Sequence, residues 1–207
     1  MKDYYQELID QLFVSGILKS SRIIEAFRKV LRKDFLPRNY QGQDYFDAPI
    51  PIGFGQTNSQ PTTVAFMLEL LQVKPGEQIL DIGSGSGWTT ALLAEITGEK
   101  GRVIGLEKVP QLVKFGQANL AKYNFPNANI SEAGDKFGLP GKKFDKILVS
   151  AAAEELPEEL LLQLKNSGTL VIPIVNSVNR YEKDKNGEIT KQEFYGFSFV
   201  PLVGGDS

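Results

Sequence analysis

The chain has 207 residues, 42% hydrophobic and 23% charged, with a formal net charge of -2 and neither cysteine nor histidine. That length suits one domain with a real core, and the missing residue types exclude thiolate nucleophiles, Ser-His-Asp catalysis, disulfides and zinc sites built on Cys or His. The weak charge gives no general attraction to nucleic acid or anionic membrane, no apolar run approaches ~20 residues, and Met1 to Glu7 lack the apolar centre of a signal peptide. A cytoplasmic protein is expected, one whose chemistry rests on carboxylates, hydroxyls, amides or a bound cofactor.

In chain order, residues 2 to 14 place Tyr4, Tyr5, Leu8, Ile9, Leu12 and Phe13 at helical spacing, and Ser15-Gly16 ends the helix. A second helix is expected from Ser20 or Ser21 through Leu31. Arg28, Lys29, Arg32 and Lys33 come late in it, where cations suit the dipole and face solvent. Residues 34 to 60 show no period and hold Pro37, Pro49, Pro51, Gly42, Gly53 and Gly55, a length of loop that is often functional. Within it, Asp47 to Pro61 mixes stiff prolines, apolar anchors and small polar side chains suited to holding a small polar group.

Helical spacing returns over 62 to 71 and stops at Lys74-Pro75-Gly76. Strands are then expected at 79–82, 102–106, 128–132, 144–149 and 168–174, and helices at 86–97, 109–123 and 157–164. This alternation implies an α/β fold with a mostly parallel sheet, helices on both faces, and ligands at the carboxyl ends of the strands. Residues 178 to 184 and 189 to 200 read as a hairpin turning at Asn186-Gly187, antiparallel at one sheet edge, where Arg180, Glu182, Lys183, Asp184 and Lys185 protect that edge.

The stretch Ile79-Leu80-Asp81-Ile82-Gly83-Ser84-Gly85-Ser86-Gly87-Trp88 reads as strand, tight turn and helix start, with glycines where a ligand can lie against bare backbone N–H groups. A dinucleotide loop shares this spacing. Trp88, where a small residue would pack helix against strand, counts against NAD. Glu107 ends the next strand, where a carboxylate can accept from ribose hydroxyls and would repel a 2′-phosphate.

Asp81 to Gly87 with Glu107 resembles the first motifs of class I S-adenosylmethionine-dependent methyltransferases. More narrowly, the chain from about residue 30 to 203 resembles the protein-L-isoaspartate (D-aspartate) O-methyltransferase family. The resemblance is carried by Asp47 to Pro61, Gly134-Asp135, Phe144 to Ala153, Gln163 to Pro173, and Phe199-Val200-Pro201-Leu202. It implies a Rossmann-like, doubly wound domain over 1–207, with N-terminal helices and the substrate and cofactor loop in 1–60, the core in 61–175 and the hairpin in 176–207. It departs from the family's usual pattern at Asn58 (an aliphatic residue), Lys136 (a glycine) and Ser167 (a glycine).

The activity implied is methylation of the α-carboxylate of L-isoaspartyl, or D-aspartyl, residues in damaged proteins. S-adenosyl-L-methionine is the donor, S-adenosyl-L-homocysteine the product, isoaspartyl peptides and proteins the partners, and a monomer without metal is expected. By the same resemblance Ser59 is the catalytic residue, orienting the carboxylate. Thr57, Asn58, Ser59, Asp81, Gly83, Ser84, Gly85, Gly87, Glu107, Lys108, Gly134 and Asp135 hold the cofactor, and Gln56, Thr57, Ser59, Val200 and Leu202 meet the substrate. Ser59 also suits an N-cap for the helix near Pro61. Asn58 and Lys136 motivate an alternative, a carboxyl methyltransferase of this fold for another peptide carboxylate; a third reading is an inactive cofactor-binding homologue.

Overall fold

The structure, a computed structural model, describes residues 3–202. In chain order these form α1 (Tyr4–Val14), α2 (Ser21–Lys29), two short 3-10 helices (Arg32–Phe35 and Arg38–Gln43), β1 (Ile50–Gly53), β2 (Gln56–Asn58) and α3 (Pro61–Leu71). Then come β3 (Gln78–Ile82), α4 (Trp88–Thr97), β4 (Arg102–Glu107), α5 (Pro110–Leu120), β5 (Ala128–Glu132), β6 (Phe144–Val149), α6 (Glu158–Gln163), β7 (Leu164–Ile174), β8 (Ser177–Lys183) and β9 (Ile189–Tyr195).

The starts of α1 to α3 are fixed by carboxylates. Asp3 Oδ1 accepts from the N–H groups of Tyr5 and Gln6, capping α1. Glu69 Oε1 accepts from Lys19 and Ser20 N–H at 2.7 Å ahead of α2. At α3 the cap comes from the preceding loop: Asp47 accepts from Thr62 N at 2.9 Å and from its hydroxyl at 2.6 Å. Ser59 is therefore not the N-cap that its position suggests. The second helix also ends at Lys29, earlier than its apolar spacing implies, and the chain re-enters as a 3-10 turn carrying Arg32 and Phe35 inward.

The main sheet runs β5-β4-β3-β6-β7-β8-β9. Pairings from β5 through β7 are parallel, while β7–β8 and β8–β9 are antiparallel. Strand order reverses at β3, which pairs with β4 on one side and β6 on the other, so a crevice opens at the carboxyl ends of β3, β4 and β6. Period-2 alternation divides the core. Ile79, Val103, Leu148 and Val171 face the cluster built by α1 to α5, while Leu80, Ile82, Ile104, Ile147 and Leu170 face Leu160 and Leu164 of α6 and its flanking segment. The second face is otherwise covered by irregular chain. Between β5 and β6 there is no helix; Gln163 instead clips that segment, donating to Phe137 O and accepting from Leu139 N.

The C-terminal hairpin is antiparallel at the sheet edge, as its pattern implies, but its second strand stops at Tyr195 instead of reaching Val200. The chain leaves the strand at Gly196 (φ +97°), where the N–H groups of Gly196 and Phe197 both donate to Asn176 O, and Phe66 of α3 meets Phe194 edge-on and stacks on Phe197. Arg180 does not guard an edge. It is 8% exposed on the interior strand β8, donating to Leu70 O and to both oxygens of Glu182. Ser167 has φ +63°, a left-handed conformation in which a glycine would sit without strain.

Candidate active site

The crevice at the carboxyl ends of β3, β4 and β6 is a cleft of about 940 Å³ of empty space, open solvent included. Gln56, Thr57, Asn58, Ser59, Gly83, Ser84, Gly85, Glu107, Lys108, Val200 and Leu202 line it, bringing together residues up to 146 positions apart (202 minus 56). Asp81 and Gly87 lie outside this lining. Gly134 and Asp135 stand beyond its rim, reached by the Lys108 ammonium at 3.3 and 3.4 Å.

The glycine loop answers the question left open by its spacing. Four of its N–H groups are not bare: those of Gly83 and Ser84 donate to Leu106 O, that of Gly85 to Glu107 Oε2 at 2.8 Å, and that of Gly87 to Ser84 O. A phosphate-binding loop keeps such donors free. Here they are spent, and the buried Glu107 carboxylate, which also accepts from Val109 N at 2.9 Å, adds repulsion toward any anion. The cleft therefore suits a ligand without phosphate, with hydroxyls for Glu107 and positive charge. Gly87 (φ +88°) is required by close packing, since a Cβ there would lie 2.9 Å from Ile130 and 3.1 Å from Gly116 O.

Asp81 sits behind this loop with no exposed surface. One oxygen accepts from Thr89 and Thr90 hydroxyls at 2.8 and 2.6 Å, and the other, Oδ1, has no partner, like the hydroxyl of Ser84. Burial pushes the Asp81 carboxyl up from 3.8 to about 6, opposed by the two threonines and helped by Glu107. Between pH 3.8 and 6 the folded chain holds a proton that the unfolded chain has lost, so this group's contribution falls as pH rises through that window. The loss, complete above pH 6, is on the order of 3 kcal/mol. Asp81→Asn keeps an acceptor for the threonines, so its Tm should decline less than the wild-type Tm between pH 4 and 6. Parallel profiles across that window would contradict the assignment.

The hydroxyl loop is held by a side chain expected on the surface. Arg32 is fully buried. Its guanidinium donates to Asn58 Oδ1 at 2.8 Å and to the carbonyls of Phe46, Ala48 and Ser59 at 2.6, 2.7 and 3.0 Å, and lies 5.5 Å from the Trp88 ring centroid. Burial lowers its pKa to about 10, which leaves it charged at neutral pH. Asn58 is buried too, its Nδ2 donating to Ser86 Oγ at 3.0 Å. Its side chain is thus engaged inside the protein, although the residue borders the cleft. No hydrogen bond joins Ser59 Oγ to another described residue.

A second hollow adjoins the cleft, lined by Pro49, Thr57, Ser59, Gln60, Thr63, Ser150, Ser198, Phe199 and Val200. Thr57, Ser59, Ser150 and Val200 belong to both and form the wall between them. The tail reaches this place by strand-like bonds, Ala152 N to Val200 O at 2.8 Å and Leu202 N to Ala152 O at 2.7 Å. Ser86, Trp88, Ser150 and Ala151 were not among the expected site residues. Ser150 and Ala151 follow the apolar run of β6 at the reversal of strand order, a signal that could have placed them.

Comparison with known proteins agrees with this architecture. Residues 3–207 match the family model described as protein-L-isoaspartate(D-aspartate) O-methyltransferase. The chain belongs to that family. A protein-L-isoaspartate O-methyltransferase of Methanopyrus kandleri is 40% identical over 205 residues, covering 96% of this chain and 91% of its own. One from Pyrococcus horikoshii is 38% identical over 207 residues, covering 97% and 93%. A crystal structure from Plasmodium falciparum, described as a protein-L-isoaspartate O-methyltransferase in complex with S-adenosyl-L-homocysteine, superposes with a TM-score of 0.85 at 29% identity over 98% of this chain and 99% of that one. As in that fold, the sheet of this family member is mixed, with antiparallel strands at its C-terminal end. Among its described residues no helix is long and apolar enough to cross a membrane.

Proposed function

We propose that this chain transfers a methyl group from S-adenosyl-L-methionine to the α-carboxylate of L-isoaspartyl residues, and of D-aspartyl residues, in damaged proteins. The observation that carries the reading is Ser59, placed on the wall between two hollows with its hydroxyl uncommitted among the described residues. The larger hollow has the chemistry of the cofactor: glycine N–H groups already bonded within the protein, a carboxylate at Glu107 for ribose hydroxyls, and Ser84, whose hydroxyl has no partner among the described residues. The smaller one takes the substrate's side, bounded by Thr57, Ser59, Val200 and Phe199.

Bound there, S-adenosylmethionine supplies an electrophilic methyl on a cationic sulfonium. The chain's residues hold the acceptor. An isoaspartyl α-carboxylate has a pKa near ~4 and arrives ionised, so no strong base is needed, consistent with a chain that lacks His and Cys. Ser59 donates a hydrogen bond to one carboxylate oxygen and leaves the other aimed at the methyl, a positioning effect that can amount to ~7 kcal/mol or more in favourable cases. With no His or Cys to titrate and the Asp81 carboxyl, pushed up to about 6, largely ionised above that, methyl transfer should be nearly flat from about pH 7 to 8. A bell centred in that window after correction for ester hydrolysis would refute the base-free mechanism.

The two changes that motivated another carboxylate as substrate do not reach the substrate hollow. Asn58 turns into Arg32 and Ser86, and Lys136 is exposed and lines neither hollow. This favours the isoaspartyl reading. Labelled S-adenosylmethionine with paired isoaspartyl and aspartyl versions of one peptide tests it: label should pass to the first alone, and equal labelling or none would refute it. Glu107→Ala, which also releases Gly85 N and Val109 N, should weaken S-adenosylhomocysteine by roughly 1.5 to 3 kcal/mol in calorimetry. Unchanged affinity in a folded variant would remove Glu107 from the cofactor site.

A further inference from the structure

Arg32 and Asn58 make a buried polar joint whose atoms neither touch the proposed reacting groups nor neutralise each other. Every hydrogen bond of the guanidinium ends on an amide or carbonyl oxygen. The orientation of Asn58 is forced, because a guanidinium only donates, so Oδ1 faces Arg32 and Nδ2 is left for Ser86. Asn58 lies on β2, three residues long and paired only with β1. A two-stranded ribbon of that size does not hold its own place, so outside links must set where Ser59 stands. Asn58 provides one such link to each neighbour. Through Ser86 it reaches the glycine loop, and through Arg32 it reaches the carbonyls of Phe46, Ala48 and Ser59.

We infer that Asn58 is a positioning residue that ties the Ser59 loop and the 44–48 segment to the glycine loop, so that a ligand seated on the glycine loop also fixes the Ser59 hydroxyl. The inference rests on the reading of the larger cleft as the cofactor site. Residues 44–48 line neither that cleft nor the hollow beside it, so any effect of the ligand on them must travel through the protein.

Hydrogen exchange on the intact chain, with and without S-adenosylhomocysteine, reads this directly. In wild type the ligand should slow exchange at least fivefold in 83–87 and in 44–48. Asn58→Leu should keep the slowing in 83–87 while that in 44–48 falls below twofold, with kcat down at least tenfold and KM for S-adenosylmethionine within threefold. Asn58→Asp, whose carboxylate can accept from both Arg32 Nε and the Ser86 hydroxyl, should restore both readouts to within threefold of wild type. A merely stabilising Asn58 would lower Tm without moving the 44–48 response. Should Asn58→Leu not fold, Ser86→Ala cuts the joint at its other end and carries the same expectation. Slowing at 44–48 that persists in ligand-bound Asn58→Leu or Ser86→Ala, or Asn58→Asp behaving like Asn58→Leu, overturns the inference with the cofactor reading intact. Failure of wild type to bind S-adenosylhomocysteine would overturn the cofactor reading and the inference with it.

Discussion

Replacing Ser59 by Ala should lower kcat by ~10- to 1000-fold while changing S-adenosylmethionine affinity by less than ~1 kcal/mol. The substitution removes one donor and little volume. The loss should fall on turnover, because the Ser59 hydroxyl has no partner among the described residues to give up and stands where the two hollows meet. Its delivery is pre-organised: Arg32 holds the Ser59 carbonyl at 3.0 Å, and the flanking Pro49, Pro51 and Pro61 stiffen the segment, so little entropy is left to lose in the transition state. Single-turnover kinetics on an isoaspartyl peptide, paired with calorimetry of S-adenosylhomocysteine, separates the two effects. Full turnover in a folded Ser59→Ala protein would move the role to another group. Thr57 and Ser150 are then the other hydroxyl residues shared by both hollows, because the Asn58 amide is committed elsewhere.

The largest loss of stability is expected from Arg32→Met, about 3 to 5 kcal/mol, read as a lower urea midpoint with an unchanged slope. Removing a buried ion together with its partner can be neutral, but here only the donor goes. Left behind are Asn58 Oδ1 and the carbonyls of Phe46, Ala48 and Ser59, each of which carries a desolvation cost of about 1 to 3 kcal/mol when unsatisfied, less whatever water recovers. Arg32→Lys keeps the charge and loses the fork, and should recover less than half of the difference. A midpoint for Arg32→Met that corresponds to less than 1 kcal/mol of destabilisation would mean that the loop carries its own order.

The repeating parts of this protein were legible in the chain itself. The strand at 79–82, its glycine turn, the acid at Glu107 and the antiparallel hairpin at the sheet edge each follow from residue spacing, because period and turn chemistry act between neighbours. The order of separated motifs then carried the family. What spacing could not supply was the partner of each polar group. Arg32 looked like the end of a solvated helix, yet it is buried by carbonyls 12 to 27 residues away. Asn58 was expected to hold the cofactor, yet Ser86, 28 residues on, takes its amide. The α3 cap belongs to Asp47 instead of Ser59, and Val200 and Leu202 are held at the cleft by backbone bonds to Ala152 once the last strand has stopped. The N–H groups of the glycine loop are likewise spent on Leu106 and Glu107, one strand over. Each of these is a hydrogen bond or ring contact between segments brought together only by closure of the fold. A local pattern shows that such a group must be satisfied; the tertiary structure decides by which atom.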